Sequence, residues 1–242
     1  MALRWLALPV LGVFVAGCAG NSPSQADSTP LPTGTAASAY TSDQLRQALL
    51  PAIATYVRAG EPDSGPYNGL KAIRNFAQLQ QQVVLDKPKC AQVNQAFGDQ
   101  NGTTAAPAAL TTFARATGQT VTETLVAVPD DVAKEEVARR VGSLCRVFRT
   151  KVGDQWSTHQ VVENTPDRHL IADGSRTVGL VTMGAEPPRG QRRPEKVAMW
   201  FVVFRSRGYL ATISVYGPTA TRAEAESIAR SAYDQAERIL PK

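Results

Sequence analysis

Apolar positions recur at three- and four-residue steps in three stretches of this chain, and at two-residue steps in several others. The first helical stretch covers residues 41–60, YTSDQLRQALLPAIATYVRAG with its preceding Tyr40, where Leu45, Leu49, Ile53 and Tyr56 form a stripe. Thr41 stands three residues before Gln44, the spacing of a capping box. Pro51 removes a backbone donor and kinks or breaks the helix. Residues 61–69 are a loop rich in Pro, Gly and short polar residues. From 70 to 84 the periodicity is weaker and predicts a loop with a short helix, and 90–97 predicts another short helix. Residues 109–116 and 120–128 are dense in Thr, Phe and Val around Gly118-Gln119, which predicts a hairpin. A second helical stripe, Ala133, Val137, Val141, Leu144 and Phe148, predicts a helix over 130–152 with Asp130 as its N-cap.

The second half alternates. Residues 155–163 and 176–183 predict strands. Residues 196–204, KVAMWFVVF, are apolar at nearly every position and predict a central strand covered on both faces. Residues 209–216 predict its hairpin partner, with Ala211, Ile213 and Val215 on one face. Residues 219–240 predict a long amphipathic helix whose Ala225, Ala229, Ala232 and Ala236 permit close approach to a sheet. Helix, hairpin, helix, four strands, helix is the order of an α+β fold: a mostly antiparallel sheet packed by amphipathic helices.

The N-terminal pattern is different. Arg4 precedes an apolar run from Trp5 to Val15, then Ala16-Gly17-Cys18 and a polar stretch. That run is too short to span a bilayer and has the organisation of an export signal. Val15-Ala16-Gly17-Cys18 resembles the lipobox of bacterial lipoproteins. The resemblance implies removal of residues 1–17 and a thioether-linked diacylglycerol on Cys18, in the class of palmitate-bearing anchors. Residues 19–40, rich in Ser, Thr, Pro, Gly and Ala, form a flexible tether, and 41–242 a single domain. The expected location is the outer face of the cytoplasmic membrane.

Charge narrows the partners. Without Arg4 the chain keeps 25 basic and 21 acidic residues, a net charge of +4. This is mild and not the concentrated basic face of a nucleic-acid binder. The densest basic run is 187–196, PPRGQRRPEK, with Arg189, Arg192, Arg193 and Lys196. It is either a solvated loop or a contact for anionic lipid heads, cell-wall polymer or an envelope protein partner.

With Cys18 lipidated, Cys90 and Cys145 remain, and two cysteines in an exported chain are read as one disulfide, with free thiols as the alternative. His159 and His169 are the only histidines, there is no C-x-x-C spacing, and no metal or cofactor is expected. No G-x-S-x-G elbow, P-loop or dinucleotide fingerprint occurs, so a hydrolase ranks third among the functional classes. Trp156, Met183, Met199, Trp200, Tyr209 and Tyr216 are large side chains on predicted strands. They either line an apolar pocket or fill the core.

The lipobox, the tether, the proline-flanked Cys90, the VGSLCRVF segment with Cys145, and a strand-rich half closed by an Ala-rich helix together resemble a set of actinobacterial lipoproteins. These are similar to the extracellular sensor domain of PknH-type receptor Ser/Thr kinases. The resemblance covers about residues 41–240. It implies an α/β sandwich of PsbP-like type with a ligand cleft between sheet and helices. Such domains generally carry two disulfides, whereas Cys90 and Cys145 supply one here. The resulting expectation is a lipid-anchored, sensor-like binding domain that captures an apolar or glycolipid-like envelope ligand. The alternative is an interaction module without a small-molecule ligand.

Overall fold

A computed structural model describes residues 39–93, 103–167, 170–171, 173–184 and 196–241. These form one antiparallel sheet of ten strands and four helices, of which α1, α3 and α4 pack on the sheet, all within the unit Ala36–Lys242. The chain runs α1 (Ser42–Ala48), β1 (Val57–Arg58), β2 (Asp63–Pro66), α2 (Lys71–Gln80), β3 (Val83–Leu85), β4 (Pro107–Ala114), β5 (Thr120–Ala127) and α3 (Asp130–Ala138). It continues through β6 (Val147–Val152), β7 (Gln155–Asp167), β8 (Ser175–Met183), β9 (Lys196–Ser206), β10 (Tyr209–Gly217) and α4 (Arg222–Ile239). The α+β class expected from the sequence is the class found. The strand order is β1-β4-β5-β10-β9-β8-β7-β6-β3, with β2 also pairing β4. The β4–β5 hairpin therefore joins β10, not β6, its successor in the chain.

The two faces of the sheet bury different cores. Ile213, Ala211, Val202, Phe204, Leu125 and Phe113 point toward α1 and α4 and are almost fully buried. On α4, Ala225, Ala229, Ala232 and Ala236 have no accessible surface, so methyl-sized contacts bring the helix onto the sheet. Burying side chains of the Ile or Phe class contributes roughly 1.5–3 kcal/mol each. The opposite face carries Leu210, Val203, Val126 and Leu110 against Ala133 and Val137 of α3. Further along that face Phe148, Leu180, Cys90 and Cys145 form a third cluster. There the two cysteines stand at disulfide distance, with S–S 2.03 Å and Cα–Cα 5.4 Å.

Local chemistry explains several boundaries. Thr41 accepts from the Gln44 backbone N–H, and Gln44 accepts from the Thr41 N–H at 2.8 Å, so the capping box is closed. α1 stops at Ala48, and Pro51 lies in the bent, non-helical segment that follows, so Ile53 and Tyr56 are not helical. α2 is a full ten residues, longer than its weak periodicity suggests.

The helix expected over 130–152 is corrected: α3 ends at Ala138. Asp130 is its first residue, not its cap, and its carboxylate accepts from the Gly208 N–H at 3.3 Å. The Arg139 carbonyl accepts from Arg176 Nη1 at 3.1 Å instead of continuing the helix. Beyond the turn at residues 143–145, Phe148 and Thr150 are buried while Val147 and Arg149 are exposed. That period of two belongs to β6, which pairs with β7. The apparent helical stripe is a helix and a strand end to end.

Candidate functional site

The segment between α1 and β1 is a short wall that stands on the sheet beside α4. It is held from below by buried groups. Leu50 N–H donates to Glu123 Oε2 at 2.8 Å, and Arg58 Nη2 donates to the carbonyls of Leu50 (3.2 Å) and Pro51 (2.5 Å). Arg58 in turn lies over the Phe113 ring, 5.5 Å from its centroid. Glu123 has no accessible surface, and burial pushes its carboxyl up to about 8, against weaker opposing effects from the Leu50 N–H and Arg58.

Between this wall and α4 opens a cavity of about 290 Å3. Leu50, Ile53 and Ile228 give it an apolar side, and Ser227 and Ser231 line it from α4. Tyr56, Arg115 and Glu224 close its polar end as one network. Tyr56 OH donates to Glu224 Oε1 at 3.0 Å, Arg115 Nη1 lies 3.0 Å from the same oxygen, and Gln119 Nε2 donates to Oε2 at 2.5 Å. The Arg115 guanidinium sits over the Tyr56 ring at 4.0 Å. Burial, then the hydrogen bond to Glu224, pushes the Tyr56 hydroxyl up to about 12, so it stays a donor. Because the guanidinium and carboxylate offset each other, the polar end has little net charge.

The network ties three distant segments. Glu224 occupies the first turn of α4 behind Thr221, whose hydroxyl accepts from the Glu224 N–H at 3.2 Å. This is capping-box spacing, yet the Glu224 side chain turns to Tyr56, Arg115 and Gln119. Gly217 lets β10 pass close to Gln119, since a Cβ there would lie 3.0 Å from the Gln119 Cα at φ +150. Thr55 is the only non-glycine residue among those described with positive φ, at 67°, an unfavourable state for a β-branched side chain. Its hydroxyl accepts from Arg115 Nε at 2.9 Å, which holds the strained turn at the cavity mouth.

None of the six aromatic and methionine candidates named from the sequence lines this cavity, and they do not converge on one pocket. Tyr209 is buried in the α1–α4 core against Phe204 and Tyr40. Met199 and Tyr216 are register partners on the α3 side, Met199 packed on the disulfide cluster and Tyr216 exposed. Trp156, Met183 and Trp200 lie on the other face, toward β6 and β7. Trp200 is laid flat on Gly179, where a Cβ would come within 2.6 Å of its ring. Trp156 is half-buried under Arg149, 5.1 Å from the ring centroid. Of the basic run, Lys196 is exposed at the start of β9, while Arg189, Arg192 and Arg193 lie outside the described residues, as do Cys18 and His169. The cavity residues escaped sequence reading because Ile53 and Tyr56 matched a helical stripe and Arg115, Glu224 and Ser227 belong to no motif.

His159 is taken up by structure. Its two ring nitrogens meet Thr150 Oγ1 at 2.6 Å and Thr182 Oγ1 at 2.9 Å, and the ring stacks on Phe148 at 5.0 Å. Burial lowers its pKa, so it is a neutral bridge between three strands at neutral pH. Among the described residues no group of three or more His, Cys, Asp or Glu side chains is placed to hold a metal ion, and no helix is long and apolar enough to cross a membrane.

No family model matches the chain, and no curated protein matches it in sequence. In solved structures it is similar to the extracellular domain of PknH from Mycobacterium tuberculosis. That match has a TM-score of 0.50 and 10% identity, and covers 83% of this chain and 96% of the other. It is also similar to a putative uncharacterised protein of Mycobacterium smegmatis, with a TM-score of 0.43, 15% identity and coverage of 80% and 94%. At 10% identity the likeness is one of fold, and it agrees with the PknH-type resemblance carried by the sequence: the chain has the fold of the PknH extracellular domain.

Proposed function

We propose that this chain is a non-enzymatic, sensor-like binding domain of the cell envelope. It is held on the outer face of the cytoplasmic membrane by lipid on Cys18, and it takes an apolar or glycolipid-like ligand in the cavity beside α4. The observation that carries the reading is the cavity's composition. One side is aliphatic, the other is a charge-balanced Tyr56–Arg115–Glu224 network with two serines nearby. Such a surface suits a neutral molecule with a hydroxylated part and an apolar part better than an anion. Its volume of about 290 Å3 lies just below the usual range of ligand sites, roughly 300–1,000 Å3. It fits one sugar ring or a short apolar segment, not a whole lipid. The sensor-domain fold and the export signal support the extracytoplasmic setting.

An alkyl glycoside tests the site directly. Octyl glucoside, below its micellar concentration, is expected to shift the methyl resonances of Ile53 and Ile228 saturably. Ser227→Trp, which fills the cavity from α4, is expected to abolish the shifts while leaving the core methyls of Ile213 and Leu125 in place. Shifts that spread over the surface without saturation would count against a built site.

A further inference from the structure

The strand register leaves half of one sheet face open. α4 packs on β8, β9 and β10, and α1 on β4 and β5. Beyond them the same face continues across β8, β7, β6 and β3. Directly paired residues share a face, and two rows define it: Arg149–Thr158–Met183–Lys196 and Val84–Lys151–Trp156. Val84 is 58% exposed and Met183 41%, and Trp156 is half-buried between them and the cations. Apolar and cationic side chains therefore alternate on one surface. Arg149 pairs with Asp86 at 3.2 Å and Lys151 with Asp154 at 3.6 Å, so the three cations outnumber the two carboxylates.

We infer that this face docks on the anionic surface of the membrane that carries the anchor. An indole ring, long aliphatic side chains and ammonium or guanidinium groups interleaved on one surface match the interfacial zone, where rings sit at headgroup level and cations meet lipid phosphates. The chain outside the described residues supplies the reach. Ala39 lies against Gly208 at the β9–β10 turn, and Lys196 is at the other end of β9, about 34 Å away along the strand. A flexible chain of that length, twenty residues from 19 to 38, would span ~25 Å root-mean-square and at most ~70 Å at full stretch. The tether therefore lets the domain turn this face to the surface. Docking would place the β6–β8 side on the lipid and leave the cavity, beside α4 and the β4–β5 turn, on a separate part of the molecule. For its reach the inference rests on lipidation of Cys18, but not on the occupancy of the cavity.

The chain carries its own probe. The sequence has three tryptophans, Trp5 in the leader and Trp156 and Trp200 on this face, so the mature chain keeps only the last two. The full lipidated chain is reconstituted on vesicles of phosphatidylcholine alone or mixed with phosphatidylglycerol, each with brominated acyl chains. Trp156 emission, isolated by comparison with Trp156→Phe, is expected to be quenched on the anionic vesicles, to recover in high salt, and to remain unquenched on the zwitterionic ones. Lys151→Gln with Lys196→Gln is expected to lower the docked-to-undocked ratio about 25-fold, at roughly fivefold per cation from ~1 kcal/mol each. Equal access of aqueous acrylamide to Trp156 on both vesicle types overturns the inference. So does protection that arises only when native membrane proteins are added, which would make the face a protein contact. If the chain is not retained on any vesicle, the anchor reading fails. Sedimentation of the unanchored chain with phosphatidylglycerol vesicles then decides docking by itself: binding supports it and none overturns it.

Discussion

Glu123→Gln is expected to stabilise the domain above neutral pH and to remove much of its loss of stability with rising pH. The carboxyl is completely buried, one oxygen accepts from the Leu50 N–H, and the other has no protein partner. Burial raises its folded pKa to about 8 from an ordinary 4.5. The folded pKa lies above the unfolded one, so between these values the folded state holds a proton that the unfolded state has released. Stability contributed by this group is therefore intact below about pH 4.5. It falls by ~1.4 kcal/mol per pH unit as pH rises, and the loss levels off above about pH 8. The accumulated penalty is on the order of 5 kcal/mol, several times the effect of an ordinary surface change. Gln keeps the acceptor for Leu50 and the volume of the side chain, but not the charge. Urea unfolding of both proteins from pH 5 to 9 gives the difference. The two stability curves should meet near pH 5 and separate steadily to pH 8. Parallel curves would show that Glu123 ionises in the folded protein as it does in the unfolded chain.

The same carboxyl matters to the site. Its bond to Leu50 fixes the start of the wall that faces α4. Deprotonation in the folded protein places beneath that wall a charge that the Leu50 N–H and Arg58 only partly offset, so loosening of the cavity should set in near pH 8, where the loss of stability levels off.

Removing the Cys90–Cys145 bridge is expected to cost about as much. The bridge closes a sequence separation of 55 residues, for which loop-closure entropy predicts about 4 kcal/mol. It also pins the segment after α3 above Phe148 and Leu180, where Cys90 has no accessible surface. The double variant Cys90→Ala, Cys145→Ala avoids leaving one thiol free to react. Its urea midpoint should fall by an amount equivalent to ~3–4 kcal/mol, and the amides of β3 and β6 should lose hydrogen-exchange protection first. A midpoint shift below ~1 kcal/mol would mean that the 55-residue span is already restrained in the unfolded chain.

The fold was legible where local chemistry and periodicity agreed. Thr41 and Gln44 marked the start of α1, Gly118-Gln119 marked the β4–β5 turn, and the all-apolar run around Phe201 marked a central strand. The Ala stripe of α4 placed the closing helix. Legibility failed where two signals overlap. Val141, Leu144 and Phe148 continue the helical stripe of Ala133 and Val137. The chain nonetheless leaves the helix at Arg139, because Arg176 takes the Arg139 carbonyl and β7 pairs with residues 147–152. Neither cause is local in sequence.

The site was less legible than the fold, for the same reason. Tyr56, Arg115 and Glu224 are separated by up to 168 residues and meet only because β5 lies beside β10, which leads into α4. A period of two showed that Trp156, Met183 and Lys196 lie on strand faces. Only the register shows that they share one, and that Met199 and Tyr216 lie on the other.

Native mass spectrometry of the full protein, extracted gently from its own membranes, reads the anchor and the cavity's occupant together. The expected result is a chain that begins at a diacylglyceryl-modified Cys18 and carries one further noncovalent mass of a small apolar or glycosylated molecule. That extra mass should be absent from Ser227→Trp purified in the same way. An intact leader with an unmodified Cys18, or a lipidated chain with identical mass spectra for both proteins and no retained molecule, would contradict it.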